Sequence, residues 1–174
     1  MPKLTQVKET KRGRYALFID GEFAFSLDED TFAMAGLHTG DELEEWQIHD
    51  LQTKSDTRKA VDKAMDLLAL RDHAAGELYQ KLCRSFDPHS AAAAVAKMQE
   101  LNLLDDAGFA RRRAAELLRK RKSRRAILDD LHAKGIDRGA AAEAVEALFA
   151  QSEEDEEENP ELANARALVE RHYA

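Results

Sequence analysis

The spacing of apolar positions along this chain changes character near residue 57. Before it, apolar side chains alternate with their neighbours. Tyr15, Leu17 and Ile19 alternate with Ala16 and Phe18, and after Asp20-Gly21 the alternation resumes at Phe23, Phe25 and Leu27. An Asp-Gly pair between two such runs predicts a tight hairpin, because both turn positions need positive φ. Residues 4–11 predict a third strand, with Gly13 in its turn. Asp28 or Asp30 is placed to cap a short helix through Leu37, ended by His38-Thr39-Gly40, and Trp46 and Ile48 fall on a second short helical or extended piece. Residues 1–57 are therefore expected to form a small β-rich (α+β) subdomain.

From residue 58 onward the pattern is helical. Leucine and alanine dominate, and proline occurs only at Pro88 and Pro160. The expected helices are 58–70, 74–85, 88–101, 106–120, 123–134, 137–150 and 161–173. Pro88 suits a first helical turn. Gly135 suits a left-handed helix end after Lys134, and Asp137 then caps the next helix. A repeat of about 50 residues runs through this half. Ala64, Leu67, Leu68 and Arg71 line up with Ala114, Leu117, Leu118 and Arg121, and Leu78 and Leu82 with Ile127 and Leu131. Phe86-Asp87 and Ile136-Asp137 each precede an alanine-rich helix carrying Val95 and Met98, or Val145 and Leu148. Such a period predicts stacked three-helix modules. The expected fold is mainly α: tandem three-helix repeats at 58–105 and 106–150 in an elongated curved array. Residues 151–174 then form an acidic linker and the first helix of an incomplete third repeat.

Composition adds little until it is read by block. The chain has 174 residues and a net charge of -8. Residues 1–57 carry six basic and twelve acidic side chains, 58–105 seven of each, 106–150 eleven and seven, and 151–174 two and eight. The basic third block inside an acidic chain points to an anionic or acidic partner at one place. No apolar run approaches the roughly 20 residues of a membrane helix. The lone Cys83 supports no disulfide framework, and the start of the chain lacks an apolar signal region. A cytoplasmic location is expected, with no membrane partner.

Residues 111–125 hold nine basic side chains against one acid, Glu116. On a helical wheel Ala110, Ala114, Leu117 and Leu118 share one sector, and Arg111, Arg112, Arg113, Arg119 and Lys120 fill the opposite arc. Arg121, Lys122, Arg124 and Arg125 carry the cluster into the next helix. These side chains form the candidate binding surface for phosphates or acidic protein groups, since arginine suits bidentate contact with either. No aromatic residues interleave with them, which argues against base stacking. The acidic run 153–158 reads as a solvated linker or a frayed helical turn, or as an internal mimic of an anionic partner.

Enzyme signals are missing. Asp106 reads as an N-cap for a helix beginning at Ala107 rather than half of a metal-binding pair with Asp105. The six histidines have no ligand spacing to one another or to Cys83, and no glycine-rich phosphate loop or nucleophile elbow occurs. No catalytic residue, metal, cofactor or small-molecule substrate is expected.

Three phrases resemble the RecX family of recombinase regulators. Leu70-Arg71-Asp72-His73 followed by Glu77-Leu78 and Lys81-Leu82 is similar to its first repeat. Leu103-Leu104-Asp105-Asp106 with Phe109-Ala110 is similar to the junction into the second, and Leu131 with Lys134-Gly135-Ile136 to the end of that repeat's middle helix. The resemblance covers roughly residues 61–150. It implies a non-enzymatic protein that binds the RecA filament on DNA and inhibits its ATPase, strand-exchange and co-protease activities in DNA repair and the SOS response. The basic face, joined by Lys134, would then meet acidic filament surface or DNA phosphates. Direct binding of single- or double-stranded DNA is the alternative, and a general protein adaptor a third. Family members normally have three repeats. Here Leu162, Ala163, Asn164, Ala165, Leu168 and Val169 match only the opening helix of the third.

Overall fold

The computed structural model describes residues 1–158, with side chains to residue 154; the expected helix at 161–173 lies outside them. The described chain is mainly helical, with one small antiparallel sheet at its start. It divides into two compact units. Unit 1 comprises residues 1–71 and 78–103, and unit 2 comprises 72–77 with everything from 104 onward.

Unit 1 opens with β1 (Leu4–Glu9), β2 (Tyr15–Ile19) and β3 (Glu22–Leu27), paired in that order. The Asp-Gly turn is as expected, with φ of 52° at Asp20 and 84° at Gly21. The alternation in β3 does not hold throughout. Leu17 faces Phe25, but Phe18 faces Phe23, so the register slips past Ala24. A bulge of this kind turns the next side chain to the other face. Phe25 and Leu27 are buried while Phe23 is 61% exposed, meeting Phe18 edge-on at 5.9 Å between ring centroids.

Helix α1 (Glu29–Ala35) is capped by Asp28, whose carboxylate accepts from the Thr31 N–H at 3.1 Å and the Thr31 hydroxyl at 2.6 Å. Burial pushes the Asp28 pKa up, but the two Thr31 hydrogen bonds and the nearby Arg58 outweigh it and hold the carboxyl below its usual range. Tyr15 stacks on Phe32 at 4.3 Å. Leu4, Leu17, Phe25, Leu27, Leu43 and Leu51 form the core beneath the sheet.

The expected break between residues 48 and 58 is absent. Helix α2 runs unbroken from Glu45 to Leu70, 26 residues, or about 39 Å. Its start is fixed by a capping box between Glu44 and Gln47. The polar stretch 52–57 contains no glycine or proline to stop it. Ser55, fully buried, donates to the Ser26 carbonyl, and Arg14 donates to Ser55 Oγ at 3.2 Å and to Ser26 Oγ and O at 3.1 Å. This network fastens the hairpin to α2. After α3 (Ala75–Leu82), α4 (Pro88–Glu100) packs on α2. Pro88 occupies the first turn and Asp87 is the cap, accepting from Ser90 N–H at 3.1 Å.

Unit 2 contains α5 (Asp106–Arg119), α6 (Arg124–Ala133) and α7 (Arg138–Glu158) around a core of Phe109, Ala110, Ala114, Leu117, Ile127, Leu131, Ile136, Ala141 and Val145. The cap of α5 is Asp105, not Asp106: its carboxylate accepts from Gly108 N–H at 3.0 Å. Asp106 is the first helical residue. Asp137 caps α7 as expected, accepting from Ala140 N–H at 2.8 Å. Helix α7 does not stop at 150; the backbone stays helical through the acidic run to Glu158.

The repeat seen in the sequence recurs in burial. Ala64 and Ala114, Leu78 and Ile127, Leu82 and Leu131, Ala91 and Ala141, and Ala94 and Ala144 are all buried. Three helices end in the same way, each with paired backbone bonds around one left-handed residue: Asn102 after α4, Arg121 after α5 and Gly135 after α6.

Candidate functional site

The ten basic residues singled out in the sequence all lie in unit 2, but they do not form one surface. Arg113 does not point outward with Arg111 and Arg112. It is about a quarter exposed, and its guanidinium clamps Asp130 of α6 through Nε at 2.9 Å and Nη2 at 3.1 Å, with Glu116 at 3.3 Å. Hydrogen bonding to Asp130 raises its already high pKa further. On the wheel Arg113 lies only about 40° from the buried Leu117, at the edge of the apolar sector, and its long guanidinium reaches sideways to an acid that no local pattern reveals. Lys134 does not join the basic face either. Its Nζ lies 3.0 Å from the buried carboxylate of Glu77.

Arg112 pairs with Asp72 across 3.3 Å in an exposed ion pair. Lys120 sits 3.3 Å from Glu116, and that hydrogen bond holds Glu116 below its usual pKa. Arg124 lies over the Phe149 ring, 4.8 Å from its centroid, a cation–π contact within α6 and α7. The other five, Arg111, Arg119, Arg121, Lys122 and Arg125, are exposed, and no acid among the described residues pairs with them. Four of them fall within seven residues, at the end of α5, the turn and the start of α6.

Local structure sets this turn up for outward display. Ser123 caps α6, accepting from Ala126 N–H at 3.1 Å, so Arg124 and Arg125 occupy the first helical turn. Cations there oppose the helix dipole. Arg121 holds a left-handed φ of 61°, a position that favours glycine or asparagine. Neither choice serves the fold of the turn, and both keep positive charge in water.

The phrases that carried the family resemblance meet elsewhere in unit 2. Ala75 N–H donates to Asp106 Oδ1 at 2.8 Å. Gly76 and Gly135 touch backbone to backbone, so that a Cβ on either would lie within 2.8 Å of the other's Cα. Glu77 meets Lys134, and His73 Nε2 stands 3.9 Å from Glu77 Oε1. These residues build a packed joint. No local pattern marks the contacts of Ala75 with Asp106, Gly76 with Gly135 or Glu77 with Lys134, because each pair is far apart along the chain.

Among the described residues no group of His, Cys, Asp and Glu is placed to hold a metal ion, and no helix is long and apolar enough to cross a membrane.

Comparison with known proteins agrees with this architecture. Residues 2–44, the sheet and α1, match the family described as the regulatory protein RecX N-terminal domain. A regulatory protein RecX from Caldanaerobacter subterraneus subsp. tengcongensis is 28% identical over 151 residues, which is 86% of this chain and 77% of that one. The Lactobacillus gasseri protein of the same name is 30% identical over 171 residues, 97% of this chain and 62% of that one. The Lactobacillus johnsonii protein is 34% identical over 139 residues, 78% of this chain and 51% of that one. This chain thus spans half to three quarters of these relatives' length. A crystal structure of regulatory protein RecX superposes with a TM-score of 0.63 at 24% identity, covering 85% of this chain and 74% of that one. With residues 2–44 matching the amino-terminal domain of regulatory protein RecX, and most of the chain similar in sequence and fold to proteins of that name, this chain is similar to the regulatory RecX proteins along most of its length.

Proposed function

We propose that this protein binds the RecA recombinase filament on DNA and inhibits its recombinase, ATPase and co-protease activities, acting in the cytoplasm during DNA repair and the SOS response. It works by binding and carries out no catalysis of its own. Similarity to regulatory proteins named RecX supports the regulatory role. The observation that carries the binding mode is the group of unpaired cations Arg119, Arg121, Lys122 and Arg125 around the α5–α6 turn, with Arg111 on α5. A helix-capped turn that keeps this much positive charge in water fits an anionic partner, either acidic side chains on the filament or DNA phosphates.

The test is RecA ATPase on single-stranded DNA, titrated with this protein. Inhibition well below one protein per RecA subunit supports the reading, and no inhibition at excess overturns it. Direct DNA binding is the second reading, favoured by the same cations. If five of them each met a phosphate, the log–log salt slope of affinity would be about -4.5. That slope in the absence of RecA would move the assignment to DNA.

A further inference from the structure

Unit 1 carries an open apolar trough of about 340 Å³ between α1 and the start of α2. Leu43 and Leu51, both buried, line it along with Ala35 and Leu37. Met34 and Trp46 also line it, yet they are 90% and 64% exposed. Large apolar side chains left in water around a concavity mark a contact surface. The residue types suit that use: tryptophan is enriched among the residues that dominate binding, and methionine adapts to irregular partners.

Trp46 is held in position. Its indole N–H donates to the carboxylate of Glu44, the residue that caps α2. The α2 side chains on the trough run lengthwise, Trp46, Asp50 and Lys54 in one row and Gln47 and Leu51 in the next, each four residues apart. Rows of this kind accept a second helix laid alongside. Charge identifies which helix. Asp30 adjoins Thr31 on the rim, and Glu44 and Glu45 lead into Trp46; all three acids are exposed. Asp50 is half exposed, and the single rim lysine, Lys54, is already engaged with it at 2.9 Å. A phosphate backbone would be repelled here.

We propose that this trough docks a helix of a partner protein that presents an apolar row flanked by lysine or arginine. The inference concerns unit 1 and stands independently of the filament reading, which rests on unit 2.

Trp46 is the only tryptophan in the chain, so its fluorescence reports on the trough directly. The probe is a synthetic leucine–lysine amphipathic peptide of about 15 residues, long enough to form a helix when bound, titrated into the full chain. A saturable blue shift is expected, and a leucine–glutamate peptide of the same pattern should give none. Met34→Asp, at an exposed position, should leave the circular dichroism and thermal melt unchanged. It should weaken the leucine–lysine peptide by about tenfold or more, as for a central interface residue. Asp50→Lys should weaken that peptide too. The proposal is overturned if neither peptide shifts the emission, if both do so equally, or if folded Met34→Asp binds like the parent.

Discussion

Lys134 Nζ stands 3.0 Å from Oε2 of Glu77, a carboxylate only 9% exposed, so a residue first grouped with the binding surface belongs to the packing of unit 2. The lysine is itself about a third exposed. Lys134→Ala is expected to destabilise the protein by about 1–3 kcal/mol, below the range for a fully buried pair because the lysine still reaches water. Urea denaturation at pH 7 measures this. A loss of binding with unchanged stability would return Lys134 to the binding surface.

The neighbouring glycines should be less forgiving. Gly135 has φ of 82°, and a Cβ there would lie 2.7 Å from Gly76 Cα. Backbone atoms on both sides cannot give way as a flexible side chain can. Gly135→Ala combines left-handed strain with a clash and should cost about 2–4 kcal/mol. Gly76→Ala meets the clash alone and should cost less. Thermal melts of the two variants test the order.

Charge reversal should separate the arginines into two classes. Arg113→Glu sets a carboxylate against Asp130 and Glu116, and should cost about 2–3 kcal/mol, mainly from the lost bidentate contact. Arg119→Glu, Arg121→Glu and Arg125→Glu remove no internal partner, and each should stay within about 0.5 kcal/mol of the parent. The three combined should lower RecA inhibition sharply. If the triple variant is folded and inhibits normally, the α5–α6 turn is not the contact.

Arg121→Gly offers a sharper separation of stability from binding. Relieving the left-handed arginine should stabilise the protein by about 0.5–1 kcal/mol, while the partner loses one cation. A raised melting temperature with weakened inhibition is the expected pair of results. A lowered melting temperature would mean that Arg121 supports the fold.

Acid should weaken the sheet subdomain through Asp28. Its pKa is lowered in the fold, so its contribution is fully present above the ordinary carboxylate value and is lost as pH falls through the lower folded value. Asp28→Ala should cost about 1–2 kcal/mol at pH 7 as a lost cap. The gap between parent and variant should narrow below about pH 4. Urea melts at pH 7 and pH 3 give the comparison, and a gap that widens in acid contradicts the assignment.

Much of this fold was legible in the sequence because its signals are local. The Asp-Gly turn, Pro88 in a first turn, the Asp137 cap and the Gly135 helix end each depend on residues a few positions apart. The 50-residue repeat was legible because the buried positions recur in step. Phe23 was misplaced because one bulge inverts a strand's faces without leaving a mark in the pattern. The continuity of α2 was missed because a polar stretch on a helix looks like a linker unless it contains a breaker. The basic cluster was found, but its division was not. Which cations are already satisfied depends on Asp130, Glu77 and Asp72, and only the fold brings those acids to them.

Helix α2 carries the sheet, the trough and the packing face for α4 on one uninterrupted backbone. A cut anywhere between residues 45 and 70 would therefore not release a sheet domain from a helical one; it would leave each piece with half of a shared support. Truncations meant to isolate the amino-terminal region should keep the whole of this helix, and proteases acting on the native protein should spare it. The amino-terminal region and the first set of helices would then rise and fall together, in folding as in any rearrangement of unit 1.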